Sequence, residues 1–449
     1  MGRRLFNVLG SADEGAFDRL RKSLNPQWVE QALEATGTAT VRRRRLPAEQ
    51  VIWLVLGMAL YRQLPIDELV ERLDLVLPGT GKARVAKSAI TQARSRLGDE
   101  PMKWLFERCA SKWGHESARR HEWRGLALYG VDGTTVRLPD SKENREHFGS
   151  QSGRNETISG YPLARMVTLM ALRSHILCAA NFGPYDDERI YARELWPQVP
   201  DSSLLIVDRL FLAANILLPF AAAGTNRHWL TRAKSTTAWT VVKKLGKGDE
   251  LVELETSSEA RRQNPDLPRT WRMRAIHYHR RGFRPQTLLT SLLDSDAFPA
   301  EELRALYHER WDIELGYDEV KTDMLEREET IRSKKPKGVM QELWAIGLAY
   351  NLIRLEMERI AKEVDLPPSR ISFVASLRFI RDEWMWAGVS QTPGTLPRKL
   401  QRLREQILHF VLPPRRTDRT FPRAVKLKMS SYDRKRPTTP RKTRRGGGK

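Results

Sequence analysis

The stretch YHERWDIELGYDEVK, residues 307–321, is where this chain is most informative. It sets Tyr307, Arg310, Glu314 and Lys321 at intervals of three, four and seven residues. At about 3.6 residues per turn, those side chains fall within roughly 60° of arc on one helix. Leu306, Ile313, Tyr317 and Val320 fill the adjacent arc, which is expected to be the buried stripe. His308, Glu309, Asp312 and Glu319 take the remaining side, which is expected to be solvated. A phenol, a guanidinium, a carboxylate and an ammonium thus share the margin of a packed face. Such a row can hold a metal ion and a phosphate together. The same residues also suit an ordinary amphipathic helix in which Arg310 and Glu314 form an i,i+4 ion pair.

Upstream, the pattern changes to short apolar runs. LALYGV (126–131) ends at Asp132, and SLLIVD (203–208) ends at Asp208. MVTLMAL (166–172) and HILCAANF (175–182) are close enough to form a hairpin. A helical stretch, LFLAANILLPFAAAG, ends at Gly224 and leads into one more apolar strand, HWLTRA (228–233). Strands followed by alternating helix and strand predict an α/β fold, a mixed sheet flanked by helices. Residues 234–300 interrupt it with four strand-like runs, read as an antiparallel β insertion, and the helix carrying Glu314 follows.

Asp132 and Asp208 are placed at strand ends, where ligands of open sheets gather. If the helix of Glu314 crosses the same sheet, three carboxylates meet. They cannot stay ionised together without cations. All-oxygen ligands favour Mg²⁺, with Mn²⁺ as a substitute. Two such ions about 4 Å apart can activate a nucleophile and stabilise a leaving oxygen in phosphodiester chemistry.

On these residues the chain resembles the DDE transposases of the fourth insertion-sequence family. VDGTT (131–135), LLIVDRLF (204–211) and the helix pattern Tyr307, Arg310, Glu314, Lys321 carry the likeness, supported by RSKKPKGVMQELWAIGLAYNLIR (332–354) and PRAVKLKMSSYDRKRP (422–437). The resemblance implies a ribonuclease H-like fold with a β-rich insertion before the last catalytic residue. It implies that Asp132, Asp208 and Glu314 bind two divalent ions, nick the transposon ends, and join the released 3′ ends to target DNA by cut-and-paste transposition. Arg310 and Lys321 would hold DNA phosphates and Tyr307 would position the same backbone. Some relatives trap a flipped base on an insertion-domain aromatic, for which Trp239 and Trp271 are the candidates here, although both also suit the core of the insertion. The chain departs from the family at Leu210, where Gly usually follows the Asp-Arg pair. A nuclease of the same fold that cuts without joining, and a non-catalytic DNA-binding derivative, are the rival readings.

The rest of the sequence agrees with a DNA partner. The formal charge is +22 over 449 residues, which points to a polyanion. Residues 415–449 alone hold fourteen Lys or Arg against Asp418 and Asp433. Three predicted helices near the N-terminus end in SAITQARSRLG (88–98), with Ser88 as N-cap, Gly98 as stop, and Thr91, Gln92, Arg94, Ser95 and Arg96 on polar sides. They resemble a helix-turn-helix reader. The expected organisation is a helical DNA-binding domain over 1–120 and a catalytic domain over 121–233 and 301–364. The β insertion spans 234–300, a helical region 365–412, and a basic tail 413–449. No run is long enough to span a membrane, and there is neither a secretory-type N-terminus nor a nucleotide-binding loop. With only Cys109 and Cys178, a disulfide framework is excluded. The expected location is the cytoplasm, associated with the nucleoid. The expected assembly is a dimer or larger complex that holds two double-stranded DNA ends, the terminal inverted repeats, with target DNA. His277 and His279 share a strand face without a third zinc ligand. Asp186, Asp187 and Glu188 are read as a solvated turn.

Overall fold

A computed structural model describes residues 24–39, 46–73, 85–150, 160–279, 284–326, 331–389 and 405–414. Residues 415–449 of the basic tail and the Arg run at 42–45 lie outside these residues. The N-terminal region holds α1 (Pro26–Ala35), α2 (Ala48–Leu60), α3 (Ile66–Arg72), α4 (Lys87–Leu97) and α5 (Glu100–Arg120). Then come β1 (Ala127–Arg137), α6 (Lys142–Phe148), β2 (Leu163–Ala171), β3 (Leu177–Gly183), α7 (Glu188–Leu195), β4 (Ser203–Val207), α8 (Ala214–Ala222) and β5 (Arg227–Arg232). The predicted insertion contains β6 (Thr240–Gly246), β7 (Asp249–Glu255), α9 (Ser258–Gln263), β8 (Thr270–Tyr278) and β9 (Gln286–Thr290). The last elements are α10 (Ala300–Tyr307), α11 (Trp311–Asp318), α12 (Pro336–Glu363) and α13 (Phe373–Val389).

Among the described residues, nine strands form one mixed sheet in the order β3-β2-β1-β4-β5-β9-β8-β7-β6. β1, β4 and β5 run parallel, while β2 and β3 fold back as the predicted hairpin. That order and those directions make the first five strands a ribonuclease H-like sheet. The insertion's strands are antiparallel, as expected, and β9 pairs with β5, so they extend the same sheet.

Side-chain alternation divides the sheet between two cores. Leu128, Met170, Leu204 and Ile206 face one core, with α11, α12 and the N-terminal helices. Tyr129, Val131, Val167, Leu205 and Val207 face the other, with α7, α8 and much of the insertion. The long helix α12 is buried along most of its length. Its Asn351 amide bonds both the N–H and the C=O of Leu177, each at 2.8 Å, satisfying the outer edge of β3. No described helix is long and apolar enough to cross a membrane.

Several local expectations change. α4 starts at Lys87 with Ala86 as its N-cap residue, so Ser88 lies inside the helix, while Gly98 ends it with φ +69°. Arg94 is not available on a DNA-reading face. Its guanidinium bonds Gln341 at 2.9 Å and the fully buried Glu342 at 3.3 Å, which also receives Arg62 at 3.2 Å. Arg62, just past the end of α2, and Arg94 of α4 thus both bond to α12, and Thr91, Gln92, Ser95 and Arg96 stay exposed. Burial raises the Glu342 carboxyl, but Arg62 and Arg94 outweigh it and hold it below the usual range.

The helix of residues 300–324 is not one uniform α-helix. A 3-10 turn, His308–Arg310, separates α10 from α11, and a π turn, Glu319–Met324, follows α11. The predicted stripe holds, with Leu306, Ile313, Tyr317 and Val320 all buried. The predicted wet side does not hold throughout: Asp312 is buried, and Glu319 is turned inward to Arg354, Tyr350 (2.8 Å) and His175 (3.7 Å). Burial raises the Glu319 carboxyl, but Arg354 and His175 more than offset this and hold it at about 2.

Candidate active site

The site begins where β1 and β4 part. Their parallel ladder ends at Val131 and Val207, so Asp132 and Asp208 each follow the last paired residue of adjoining strands. Neighbouring strands lie about 4.8 Å apart. β1 itself runs on to Arg137 because β2 still pairs with it, Asp132 opposite Thr168. Asp132 is therefore inside a strand, at the point where only one side of the ladder ends. By alternation, Asp132 and Asp208 share the face of Leu128 and Ile206, the face on which α11 packs.

α11 is held there by close contact. Tyr317 donates its hydroxyl hydrogen to the Asp132 carbonyl, and its oxygen accepts from the Thr168 N–H at 3.2 Å. Gly316 allows the approach: a Cβ there would lie 2.4 Å from the Met170 methyl. The helix thus presents Glu314 to the strand ends. Asp132, Thr134, Glu314, Tyr317 and Lys321 line one cleft of about 640 Å³.

Burial, foremost, pushes the Asp132 carboxyl up to about 6; Glu314 and Asp208 push the same way, while the Gly133 N–H and Arg310 oppose them. One oxygen of each carboxylate is already held. Asp132 accepts from the Gly133 N–H at 2.8 Å, Asp208 from the Leu210 N–H at 2.8 Å, and Glu314 from Arg310 at 2.7 Å. As the side chains stand, no three His, Cys, Asp or Glu among the described residues are gathered tightly enough to hold an ion. The donor set nevertheless fits a hard divalent cation: the groups are all carboxylates, and a cation beside Asp132 would favour its charged form against the burial that raises it.

Arg310 lies between Glu314 and the ring of Trp311, 5.6 Å from its centroid, and Trp311 is 54% exposed. Lys321 donates to the Thr134 hydroxyl at 3.2 Å, and burial lowers its pKa. Tyr307 is buried rather than marginal, with its phenol pushed up to about 12, first by burial. Arg310, Arg232 and Asp208 are its charged neighbours. Leu210 is 37% exposed and does not have a positive φ, so its side chain fits the loop without backbone strain.

Of the aromatic candidates, Trp271 is buried and packs on Trp229 with centroids 5.5 Å apart, a core role. Trp239 is half-buried, 6.1 Å from the His277 ring. His277 itself is engaged by Thr287 and Glu250 at 2.9 and 3.3 Å.

Glu188 was not expected at this site. Asp187 caps α7 through the Arg189 N–H at 2.9 Å, as a turn residue would. Glu188, however, lies against Gly133, next to Asp132, and its carboxyl is pushed up to about 7, first by burial and then by Asp132. The sequence carries one signal for this: Glu188, Ala192 and Leu195 are spaced i, i+4, i+7, and the latter two are buried.

Comparison with known proteins agrees with this construction. Residues 14–107 match the family "Insertion element 4 transposase N-terminal", and residues 123–352 match "Transposase DDE domain". The chain belongs to the insertion element 4 family of DDE transposases, enzymes that cleave and join DNA. It is 38% identical over 422 residues to the Escherichia coli (strain K12) transposase InsG for insertion sequence element IS4, covering 94% of this chain and 93% of that one. It is also 40% identical over 212 residues to the putative transposase InsZ of the same organism, covering 47% of this chain and 69% of that one. Among solved structures, a piggyBac transposase synaptic complex with hairpin DNA aligns over 90% of this chain and 86% of its own, at 11% identity and a TM-score of 0.41.

Proposed function

We propose that this protein is a cut-and-paste transposase that binds the terminal repeats of a mobile element, cleaves them, and joins the 3′ ends to target DNA. The observation that carries the reading is the meeting of Asp132 and Glu314 in one cleft, with Asp208 at the end of the adjoining strand. The three carboxylates would hold Mg²⁺ or Mn²⁺, each using the oxygen that its present hydrogen bond leaves over. Bound there, paired ions would activate the attacking hydroxyl and stabilise the leaving oxygen.

The chain's own groups do the positioning. Arg310 offers a planar fork suited to a phosphate, and the loss of its bond to Glu314 would free both partners as DNA and cation enter. Lys321, across the cleft at Thr134, supplies a point charge to the same backbone. The Tyr307 hydroxyl stays protonated at neutral pH and can donate to a phosphate oxygen.

Exposed polar residues of α4 suit residues 1–120 to end recognition. Joining two ends requires two copies at least, so a dimer or larger synaptic assembly is expected, acting on the nucleoid in the cytoplasm. The test is incubation with DNA carrying the element's own ends, Mg²⁺ and a target plasmid, with products resolved on a denaturing gel. Cleaved ends that join the plasmid support the reading. Cleaved ends that never join would favour a nuclease, and uncut DNA a non-catalytic derivative.

A further inference from the structure

Glu188 stands on the wrong face of the sheet to belong to the site by ordinary packing. α7 packs through Ala192 and Leu195 into the core that holds Tyr129 and Val131, whereas α11 packs against the opposite face. Asp132 points toward α11, so the next residue, at 133, points toward α7. That residue is Gly133, and an ideal Cβ there would lie 2.2 Å from a Glu188 carboxylate oxygen and 2.8 Å from its Cβ. Glycine is not needed for backbone conformation here, since φ is not positive. What it provides is room. The missing side chain opens a gap in β1 immediately after Asp132, and the Glu188 carboxylate fills it.

A purely structural role for Glu188 would be to hold Arg165. The geometry gives it little of that work. Arg165 approaches Glu188 only to 3.6 Å, its Nε already donates to the Asp186 carbonyl at 2.9 Å, and its guanidinium lies 4.8 Å from the Tyr185 centroid. Arg165 is also fixed by other bonds, and its ion pair with Glu188 is the longest of its polar contacts.

We propose that Glu188 is a fourth acidic residue of the cation site, reaching Asp132 and Asp208 from the opposite face of the sheet through the gap at Gly133. This rests on the reading that Asp132 and Asp208 bind divalent cations. Glu188 would then contact an ion held between the two strand ends, or a water on that ion. Gly133 is the residue that makes the approach possible.

The experiment is Mn²⁺ titration of the full chain, followed by the electron paramagnetic resonance signal of free Mn²⁺, with no DNA present. Glu188→Gln keeps the shape and removes the charge. Gly133→Ala keeps Glu188 but displaces its carboxylate. Each should weaken Mn²⁺ binding by about tenfold or more, and the double variant should be little weaker than the weaker single one. Asp132→Asn is the control for the underlying site and should weaken binding at least as much. If Asp132→Asn weakens Mn²⁺ binding while Glu188→Gln and Gly133→Ala bind as the wild type does, the proposal is wrong and the site stands. If Asp132→Asn also binds normally, both fall. Circular dichroism of each variant separates a lost carboxylate from a lost fold; if Gly133→Ala unfolds, Glu188→Gln alone decides.

Discussion

Asp132 gives a stability signature that can be read without DNA. Burial raises its carboxyl from an ordinary 3.8 to about 6 in the folded protein. Such a group favours the fold most below pH 3.8, where it is protonated in both states. That contribution is lost as the pH rises through 6, because the folded state must then hold a charge it disfavours. A two-unit shift corresponds to about 3 kcal/mol, an upper figure because the cleft admits water. Asp132→Asn removes the titration. Metal-free variant and wild type should therefore be similarly stable near pH 3.5 and diverge up to about pH 7. At pH 8 the variant should be the more stable by ~1–3 kcal/mol, a rise of a few degrees in thermal midpoint. Comparing the two proteins matters, because depressed carboxyls such as Glu319 and Glu342 give both an opposite trend with pH. The assay is thermal unfolding in chelator across that range, repeated with excess Mn²⁺, which should raise the wild type more than the variant. A variant no more stable than wild type at pH 8 would refute the raised, buried carboxyl of Asp132.

Glu314→Gln should abolish cleavage while leaving DNA-end binding in a gel-shift assay largely intact, since it removes one charge facing the cleft; normal cleavage would reject its role. Lys321→Ala should lower affinity for DNA in the cleft while leaving Mn²⁺ titration unchanged, and the reverse pattern would show that Lys321 serves the cation instead. Arg354→Met strands the inward-turned Glu319 beneath the π turn and should cost about 3–5 kcal/mol, seen as a lower midpoint of chemical unfolding; an unchanged midpoint would show that the ion pair is not what holds that turn. Truncation at Pro413 removes fourteen Lys or Arg of the tail and should flatten the salt dependence of nonspecific DNA binding, because fewer counterions are released; equal log–log slopes would contradict this.

Much of the architecture was legible because its signals are local. The apolar runs before Asp132 and Asp208 became β1 and β4, and the hairpin at 163–183 followed from two runs with a short join. The buried stripe of Leu306, Ile313, Tyr317 and Val320 followed from helical spacing. The failures share a different cause. Asp312 and Glu319 were placed in solvent by treating residues 307–321 as one uniform helix, but the 3-10 and π turns change the angle between successive residues. Their partners, His175 and Arg354, come from β-turn and helix segments far off in sequence. Sequence spacing puts Arg94 on a polar side of α4, and nothing local reveals that Glu342, a buried acid on α12, faces it. Glu188 was read as a turn residue because Asp187 does cap a helix there; only the sheet's topology shows that Gly133 lies beside it.

The most direct measurement is anomalous diffraction from crystals of the full chain grown with Mn²⁺ and a cleaved DNA end. Two anomalous peaks about 4 Å apart, touched by oxygens of Asp132, Asp208 and Glu314, are the predicted result. Peaks lying elsewhere, or none at saturating Mn²⁺, would contradict the assignment of these three residues as the catalytic centre.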